Sequence, residues 1–346
     1  MLKILTVGEF DPAGVHLRHR RWLRQLGVDY RLAVRDIYRA EGVDCDYWYG
    51  DAVTESAGDR LVPLVTRRER HRAEGWRELN DFARVADIVQ LLPSIGAGWS
   101  HGSTAPRFDD AIDRTGPINW ATVGEHARRV ALFHGSANAA ANAELYAEHY
   151  HGQGWTVAAT TLDYAYRMGA AYLPAIVDAH LNHEHADERA HGERLRVVAT
   201  PTDMAASGTA EFRDVVETVG GLEFELVMNR DHATCLARKR HAHVGFDHVR
   251  GAFSVNSLEN AALGLANLVA VRSEYRPILR RTMDTDVPWP SVESMSDVAD
   301  NLVDMRDSVD VTVHWQRRCS DWMATAWHPL RVADHLLAAY KEIARA

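Results

Sequence analysis

The sequence has little of what would place it in several common classes of protein. It contains three cysteines, Cys45, Cys235 and Cys319, which are odd in number and far apart. They form neither a disulfide framework nor the paired spacing of a zinc site. No apolar run approaches the ~20 residues that cross a bilayer, and the apolar start MLKILTVGEF is too short for a signal peptide. These absences predict a cytoplasmic protein with no membrane span.

Basic residues are also fewer than acidic residues. Lys and Arg number 39 against 48 Asp and Glu, so the formal net charge is −9. This balance disfavours bulk binding to nucleic acid, which depends on cations that neutralise phosphates. Two segments are nevertheless basic, residues 16–24 (HLRHRRWLR) and 66–72 (TRRERHR). They are either solvated helix faces or a patch for an anionic acceptor or a membrane surface.

The chain does contain a regular alternation of short apolar strands and amphipathic helices. Strands are predicted at residues 3–7, 30–34, 86–92, 129–133, 156–159, 195–200, 222–228, 243–246 and 266–271. Continuous apolar strands that alternate with helices are typical of parallel, doubly wound sheets. A chain of 346 residues exceeds one typical core. We therefore predict an α/β protein with two Rossmann-like domains, residues 1–180 and 181–325, and a C-terminal helix over 326–346.

Residues 244–271 (VGFDHVRGAFSVNSLENAALGLANLVAV) are the most informative stretch. They predict a strand, a turn of small residues, a helix from about Ser257 and a second strand. Such a turn presents backbone N–H groups and the positive end of the helix dipole, which suits a diphosphate. Glu259 could accept hydrogen bonds from sugar or ribose hydroxyls. Its alternative role is a plain acid at a helix N-terminus.

This stretch resembles the donor loop of GT-B glycosyltransferases of the family-4 type. Asp247 ends the strand, Phe253 holds the aromatic position of a Glu-Gly-Phe-Gly loop, and Leu258–Glu259 matches a Leu-Glu pair. The resemblance implies two domains that face a cleft, with Glu259 binding the ribose of a nucleotide-sugar. It also implies that the donor diphosphate is bound by the loop residues Ser254, Val255, Asn256 and Ser257.

Two departures from the family pattern bear on activity. Gly251 stands where the family has the first acid of its acid pair, which contacts sugar hydroxyls. Ala252 and Ser254 replace the two loop glycines. The donor sugar therefore lacks its expected carboxylate partner.

The cations that neutralise the leaving diphosphate in the family are missing as well. Residues 198–210 (VATPTDMAASGTA) contain no Lys or Arg. Thr202 and Ser207 could donate hydrogen bonds to phosphate instead, and Arg230 is a candidate replacement cation. The alternatives are a helix N-cap for Ser207 and an ordinary surface position for Arg230.

Four positions in the first half complete the predicted site. His134 ends a predicted strand at the carboxyl edge, where open α/β sheets place ligands. It is our candidate catalytic residue, since a neutral imidazole can take a proton or orient a hydroxyl; the alternative is a structural histidine. The resemblance places Gly14 beside the donor or acceptor, and the acceptor against His16 and Arg18.

The resulting prediction is a retaining glycosyltransferase that uses a UDP- or GDP-sugar and no metal or other cofactor. The histidines lack zinc spacing, and no Gly-x-Gly-x-x-Gly follows the first strand. The acceptor hydroxyl stays open between a small molecule, a lipid-linked or other glycan, and a modified nucleic-acid base. The oligomeric state is open too. The alternatives are a GT-B domain that has lost catalysis and acts as a binding or assembly subunit, and a nucleotide-sugar epimerase.

Overall fold

The computed structural model describes residues 1–8, 14–34, 46–48, 78–92, 123–134, 142–178, 190–201, 204–249 and 251–346. The chain separates into two compact units. Unit 1 comprises Met1–Thr160, Arg167–Leu173 and Leu336–Ala346, and unit 2 comprises Thr161–Tyr166 and Pro174–His335. The first predicted domain boundary, at residue 180, lies outside the described residues. The second, at residue 325, lies within unit 2. Both boundaries stay predictions.

Unit 1 is built on a seven-stranded parallel sheet in the order β3-β2-β1-β4-β5-β6-β7. Its strands are β1 (Lys3–Gly8), β2 (Asp29–Val34), β3 (Tyr47–Trp48), β4 (Ile88–Leu92), β5 (Arg128–Phe133), β6 (Thr156–Ala159) and β7 (Ala171–Tyr172). Helices α1 (Val15–Gln25) and α2 (Ala143–Gly152) and a helical segment at residues 78–85 belong to this unit. The strand order reverses between β1 and β4, the type of position at which such sheets bind ligands.

Unit 2 contains a four-stranded parallel sheet in the order β11-β10-β8-β9. Its strands are β8 (Arg196–Ala199), β9 (Glu223–Leu226), β10 (Val244–Phe246) and β11 (Ala266–Leu268). Phe212 stacks on Phe246 in its core, with ring centroids 3.9 Å apart. This apolar contact fixes the helix of Phe212 on the face of the sheet.

The remaining helices lie mostly in unit 2. They are α3 (Leu162–Arg167), α4 (Met204–Ser207), α5 (Thr209–Val219), α6 (His232–Lys239), α7 (Val255–Ala262), α8 (Arg276–Met283), α9 (Met295–Asp307), α10 (Val309–Thr325) and α11 (Pro329–Arg345). The last residue of α3 and the second half of α11 belong to unit 1. The predicted α/β class, with two parallel doubly wound sheets and a C-terminal helix, is confirmed. None of the helices in the described ranges combines the length and apolarity that a bilayer span requires.

Helix α7 begins two residues earlier than the sequence predicted. Ser254 is its N-cap, and the Ser254 hydroxyl accepts a hydrogen bond from the backbone N–H of Asn256 at 3.1 Å. A serine in extended conformation that accepts from the first turn is a favoured helix start. The prediction of a start at Ser257 was therefore wrong by half a turn.

Gly245 in β10 leaves room for the side chain of Asn260 on α7. A Cβ atom at Gly245 would lie 2.5 Å from Cγ of Asn260, far inside van der Waals contact. Asn260 donates to Oδ1 of Asn267 at 3.2 Å, and Nδ2 of Asn267 donates to the carbonyl of Ser257 at 3.1 Å. These buried hydrogen bonds fix the position of α7 relative to β10 and β11.

Candidate functional site

A buried carboxylate at the carboxyl end of β10 holds the start of α7. Asp247 accepts hydrogen bonds from the backbone N–H and hydroxyl of Ser254 at 3.3 and 2.7 Å, from Nδ2 of Asn256 at 3.1 Å, and from the Ser257 hydroxyl. Burial raises the pKa of Asp247, but nearby His248 and the hydrogen-bonding side chains outweigh it, so the pKa lies below its usual value. A negative charge therefore already faces the positive end of α7.

Glu259, on the second turn of α7, lies in a buried cluster of charges. Its Oε2 accepts from Nζ of Lys239 at 2.9 Å and its Oε1 contacts Nε2 of His232 at 2.7 Å. Lys239 is 1% exposed and also donates to Oδ1 of Asn256, which accepts from the Thr200 hydroxyl at 2.8 Å as well. The cluster joins α6, α7 and the end of β8 through charged hydrogen bonds.

The cluster keeps Glu259 ionised. Burial raises the pKa of this carboxyl, but the Lys239 ammonium and the hydrogen bond and charge of His232 lower it further, to about 2. Each oxygen has one protein partner among the described residues, and a carboxylate oxygen can accept two hydrogen bonds. Glu259 thus retains acceptor capacity while it is only 5% exposed.

In unit 1, His134 is bound at both ring nitrogens. It follows β5, and its Nε2 lies 2.8 Å from Nε2 of His16 on α1. Its Nδ1 lies 3.0 Å from the hydroxyl of Thr160, which follows β6. Burial, and then the nearby charge of His19, lowers the pKa of His134 to about 3. The pKa of His16 also lies well below its usual value, mainly because of burial. Both imidazoles are therefore neutral near pH 7.

A chain of hydrogen bonds lies behind this histidine pair. The hydroxyl of Thr6 donates to the Tyr30 oxygen at 2.7 Å, and Nε2 of Gln90 donates to Thr6 at 3.2 Å. The Tyr340 hydroxyl, on α11, donates to Oε1 of Gln90 at 3.0 Å.

The two histidines connect this chain of hydrogen bonds to Thr160. Nδ1 of His16 lies 3.1 Å from the Tyr30 hydroxyl, and the two Nε2 atoms lie 2.8 Å apart, so one neutral imidazole donates and the other accepts between them. Nδ1 of His134 is occupied by the Thr160 hydroxyl. An external hydroxyl reaches that nitrogen only if it replaces Thr160.

The predicted acceptor residues are buried in the described structure. His16 is 0% exposed and Arg18 is 4% exposed. The face of α1 that carries them, with His19, is therefore not the solvated basic face that residues 16–24 suggested. Gly14 adopts a left-handed conformation with φ of 66° at the N-cap of α1. The ligand roles of Gly14, His16 and Arg18 stay predictions.

Comparison with solved structures decides the fold. No protein-family model and no curated protein matches this sequence. A sucrose-phosphate synthase from Thermosynechococcus elongatus has a TM-score of 0.58 and 10% identity over 99% of both chains. HepE from Anabaena, solved with UDP and glucose, has a TM-score of 0.58 and 10% identity over 99% of this chain and 100% of its own. The chain has the GT-B fold.

A third similar GT-B structure is an alpha-glucosyltransferase in complex with UDP and a 13-mer DNA. Its TM-score is 0.54, with 9% identity over 100% of both chains. Identities this low show the fold alone. The GT-B resemblance read from residues 244–271 is confirmed at the level of the fold.

Within this GT-B chain, the predicted donor residues are brought together only in part. Glu259 and the predicted diphosphate-binding residues lie together at the start of α7, and Asp247 holds three of these residues by hydrogen bonds. The predicted diphosphate-binding residues are Ser254, Val255, Asn256 and Ser257. Ser207 donates to the Met204 carbonyl at 3.2 Å; it is not an N-cap, since Gly208 caps α5. Arg230 is exposed two residues before His232, and Thr202 lies outside the described residues. The donor role of every one of these residues stays a prediction.

Sequence reasoning missed Lys239 and His232, the two partners of Glu259. Lys239 belongs to the run Ala-Arg-Lys-Arg near the end of α6, which is typical of exposed cations at a helix C-terminus. No local signal distinguishes the one buried member of this run.

Among the described residues, no three histidine, cysteine or acidic side chains are grouped as they would be around a metal ion.

Proposed function

We propose that the protein is a retaining glycosyltransferase that transfers a sugar from a nucleoside-diphosphate donor to a hydroxyl acceptor. The observation that carries the proposal is ionised Glu259 at the carboxyl edge of the second sheet of a GT-B fold. Both of its oxygens retain a lone pair that a ribose hydroxyl can use. Two similar structures were solved with UDP, which supports a nucleotide donor.

The diphosphate requires positive charge that α7 alone does not supply. Asp247 repels an anion at the helix start, and it already receives the hydroxyls of Ser254 and Ser257. Arg230, exposed in the loop before α6, is the cation we assign to the leaving diphosphate. Thr202 and Ser207 complete this proposed phosphate site, which requires the Ser207 hydroxyl to give up its hydrogen bond to the Met204 carbonyl. The reaction would proceed by front-side attack, in which the leaving diphosphate oxygen helps to deprotonate the acceptor.

Titration calorimetry with UDP, GDP, UDP-glucose and GDP-mannose tests the donor site. We expect binding of one nucleotide family and slow release of free nucleotide when a suitable acceptor is present. Arg230→Gln should weaken UDP binding about 10-fold and leave uridine binding unchanged, because a charged hydrogen bond to phosphate is lost. Arg213→Gln, an exposed arginine on α5, is the matched control. If the protein binds none of these nucleotides and shows no turnover, the proposed glycosyltransferase activity is wrong.

His134→Ala should lower kcat about 100-fold and leave the Kd of the donor unchanged, since a base or orienting group acts on the acceptor. Steady-state kinetics and calorimetry on the same preparation separate the two effects. Thr160→Val is the companion variant: it removes the hydroxyl that occupies Nδ1 and keeps the imidazole. A fall in donor affinity alone in His134→Ala would assign His134 to the donor instead.

One observation favours a second candidate, a GT-B subunit that binds or assembles without catalysis. A buried carboxylate occupies the anion-binding end of α7, and Gly251 lacks the acid that the family pattern has there. A turnover assay with the same sugar nucleotides separates the two functions, because a non-catalytic subunit would show no sugar transfer with any donor. The acceptor classes stay open. One similar structure contains DNA, which supports keeping a nucleic-acid base among them.

A further inference from the structure

The backbone at Gly251 leaves a space that two polar side chains border. A Cβ atom at Gly251 would lie 3.8 Å from Oδ2 of Asp163 and 3.7 Å from Cε1 of His248, at ordinary van der Waals distance. Asp163 belongs to α3, 88 positions earlier in the chain, and all three residues lie in unit 2. Gly251 does not have a positive φ, so its conformation is open to other residues. A carboxylate from a different element thus faces the position where the loop has none.

Asp163 differs from the other two carboxylates of unit 2 described above. Asp247 already accepts hydrogen bonds from Ser254, Asn256 and Ser257, and each oxygen of Glu259 already has one protein partner, Nζ of Lys239 or Nε2 of His232. For Asp163, by contrast, the described structure contains no hydrogen bond and no ion pair. Its side chain is half-buried, so it is partly desolvated and still reachable. A half-buried carboxylate without a protein donor can accept hydrogen bonds from solvent or from a bound molecule.

His248 borders the same space with its ring carbon Cε1, which lies between the two ring nitrogens. Its Nδ1 is buried and has no hydrogen-bond partner in the described parts of the chain. Its Nε2 lies 3.9 Å from Oδ2 of Asp247, beyond hydrogen-bond range. A carboxylate and the edge of an imidazole ring that border one space suit hydroxyl groups, which can donate to the carboxylate and both donate to and accept from ring nitrogens. A purely cationic ligand would satisfy Asp163 only.

We propose that Asp163, together with His248, binds hydroxyl groups of the donor sugar at the Gly251 space and takes over the role of the missing loop acid. The inference rests on the proposed glycosyltransferase function and adds a residue that the loop motif does not contain. Asp163 would determine affinity for the sugar part of the donor and not for the nucleotide part. The carboxylate that binds the donor sugar would then come from position 163 in this chain, whereas in the family pattern it comes from position 251.

The test compares a sugar nucleotide with its free nucleotide. Calorimetry gives Kd for UDP-glucose and UDP, and for GDP-mannose and GDP, in the parent, in Asp163→Asn and in Asp163→Asn/Gly251→Asp. In Asp163→Asn we expect affinity for the sugar nucleotide to fall about 10-fold and affinity for the free nucleotide to change less than about 2-fold. The double variant should regain most of the loss. Asp300→Asn on an exposed face of α9 is the charge-matched control and should behave as the parent.

The outcomes separate the two proposals. A parent protein that binds none of the four ligands overturns the proposed function, and this inference with it. A parent that binds, with Asp163→Asn unchanged or weakened equally toward nucleotide and sugar nucleotide, overturns the role of Asp163 alone. A double variant that stays as weak as Asp163→Asn contradicts a subsite shared by the two positions. Thermal unfolding of each variant shows that any loss comes from folded protein.

Discussion

Lys239→Met should lower the free energy of unfolding by about 3–5 kcal/mol, because removal of one partner of a buried ion pair leaves the other charge uncompensated. The ammonium of Lys239 lies 2.9 Å from Oε2 of Glu259, and the two side chains are 1% and 7% exposed. Methionine keeps most of the apolar stem of lysine, so the loss reports the charge and not a cavity. Urea denaturation at pH 7 measures it.

Two further variants make this result interpretable. Lys239→Met/Glu259→Gln should recover most of the stability, since a neutral pair needs no compensation in the interior. Arg238→Ala should cost less than about 1 kcal/mol, because the neighbouring Arg238–Glu225 pair is long, at 3.4 Å, and its side chains are 60% and 43% exposed. If the double variant were as unstable as Lys239→Met, the loss would lie in packing. The charge argument would then be wrong.

Lowering the pH from 6.5 to 4 should destabilise the protein by about 3 kcal/mol through His134 alone. Its folded-state pKa is about 3 against an ordinary 6.5, so the unfolded chain takes up the proton first. Stability from this group is complete above pH 6.5 and is lost as the pH falls toward 3. His16 adds a loss of the same sign. Urea midpoints at half-unit pH intervals measure the slope.

The histidine contribution can be separated from that of the carboxylates. Glu259, with a pKa of about 2 against an ordinary 4.5, loses its stabilising effect only as the pH falls below about 4.5. Between pH 6.5 and 5 the slope therefore belongs to the histidines whose pKa is lowered, namely His16, His134 and the partly buried His335. His134→Gln should reduce the mean slope in this range by about 1.1 kcal/mol per pH unit, whatever its effect at pH 7. His151→Gln, an exposed histidine on α2, should keep the parent profile. An unchanged slope in His134→Gln would refute the assignment.

Much of the fold follows from local sequence because strands of parallel sheets are continuous apolar runs. The predicted strand at residues 156–159 coincides with β6, and those at residues 3–7 and 30–34 are each one residue shorter than β1 and β2. The edge strands β3 and β7 were not predicted. Each contains two residues, and a pattern of period two cannot be recognised over so short a run.

The candidate site was predictable where it depends on one segment and not where it depends on distant ones. The helix start that carries Glu259 was found, because the turn and the helix are adjacent in the chain. The His16–His134 bond joins residues 118 positions apart, and the Tyr340–Gln90 bond joins residues 250 apart. Such contacts depend on the order of strands in the sheet. No periodicity along the chain expresses that order.

The close fit of Gly245 and Asn260 has a consequence for how this protein can change over generations. Any side chain at position 245 collides with the Asn260 amide, so a substitution there is harmful while Asn260 is present. A smaller residue at position 260 would open the space, but it would also leave the Asn267 amide without its donor. The three positions are therefore epistatic, and a lineage can pass to another combination only in a restricted order of steps.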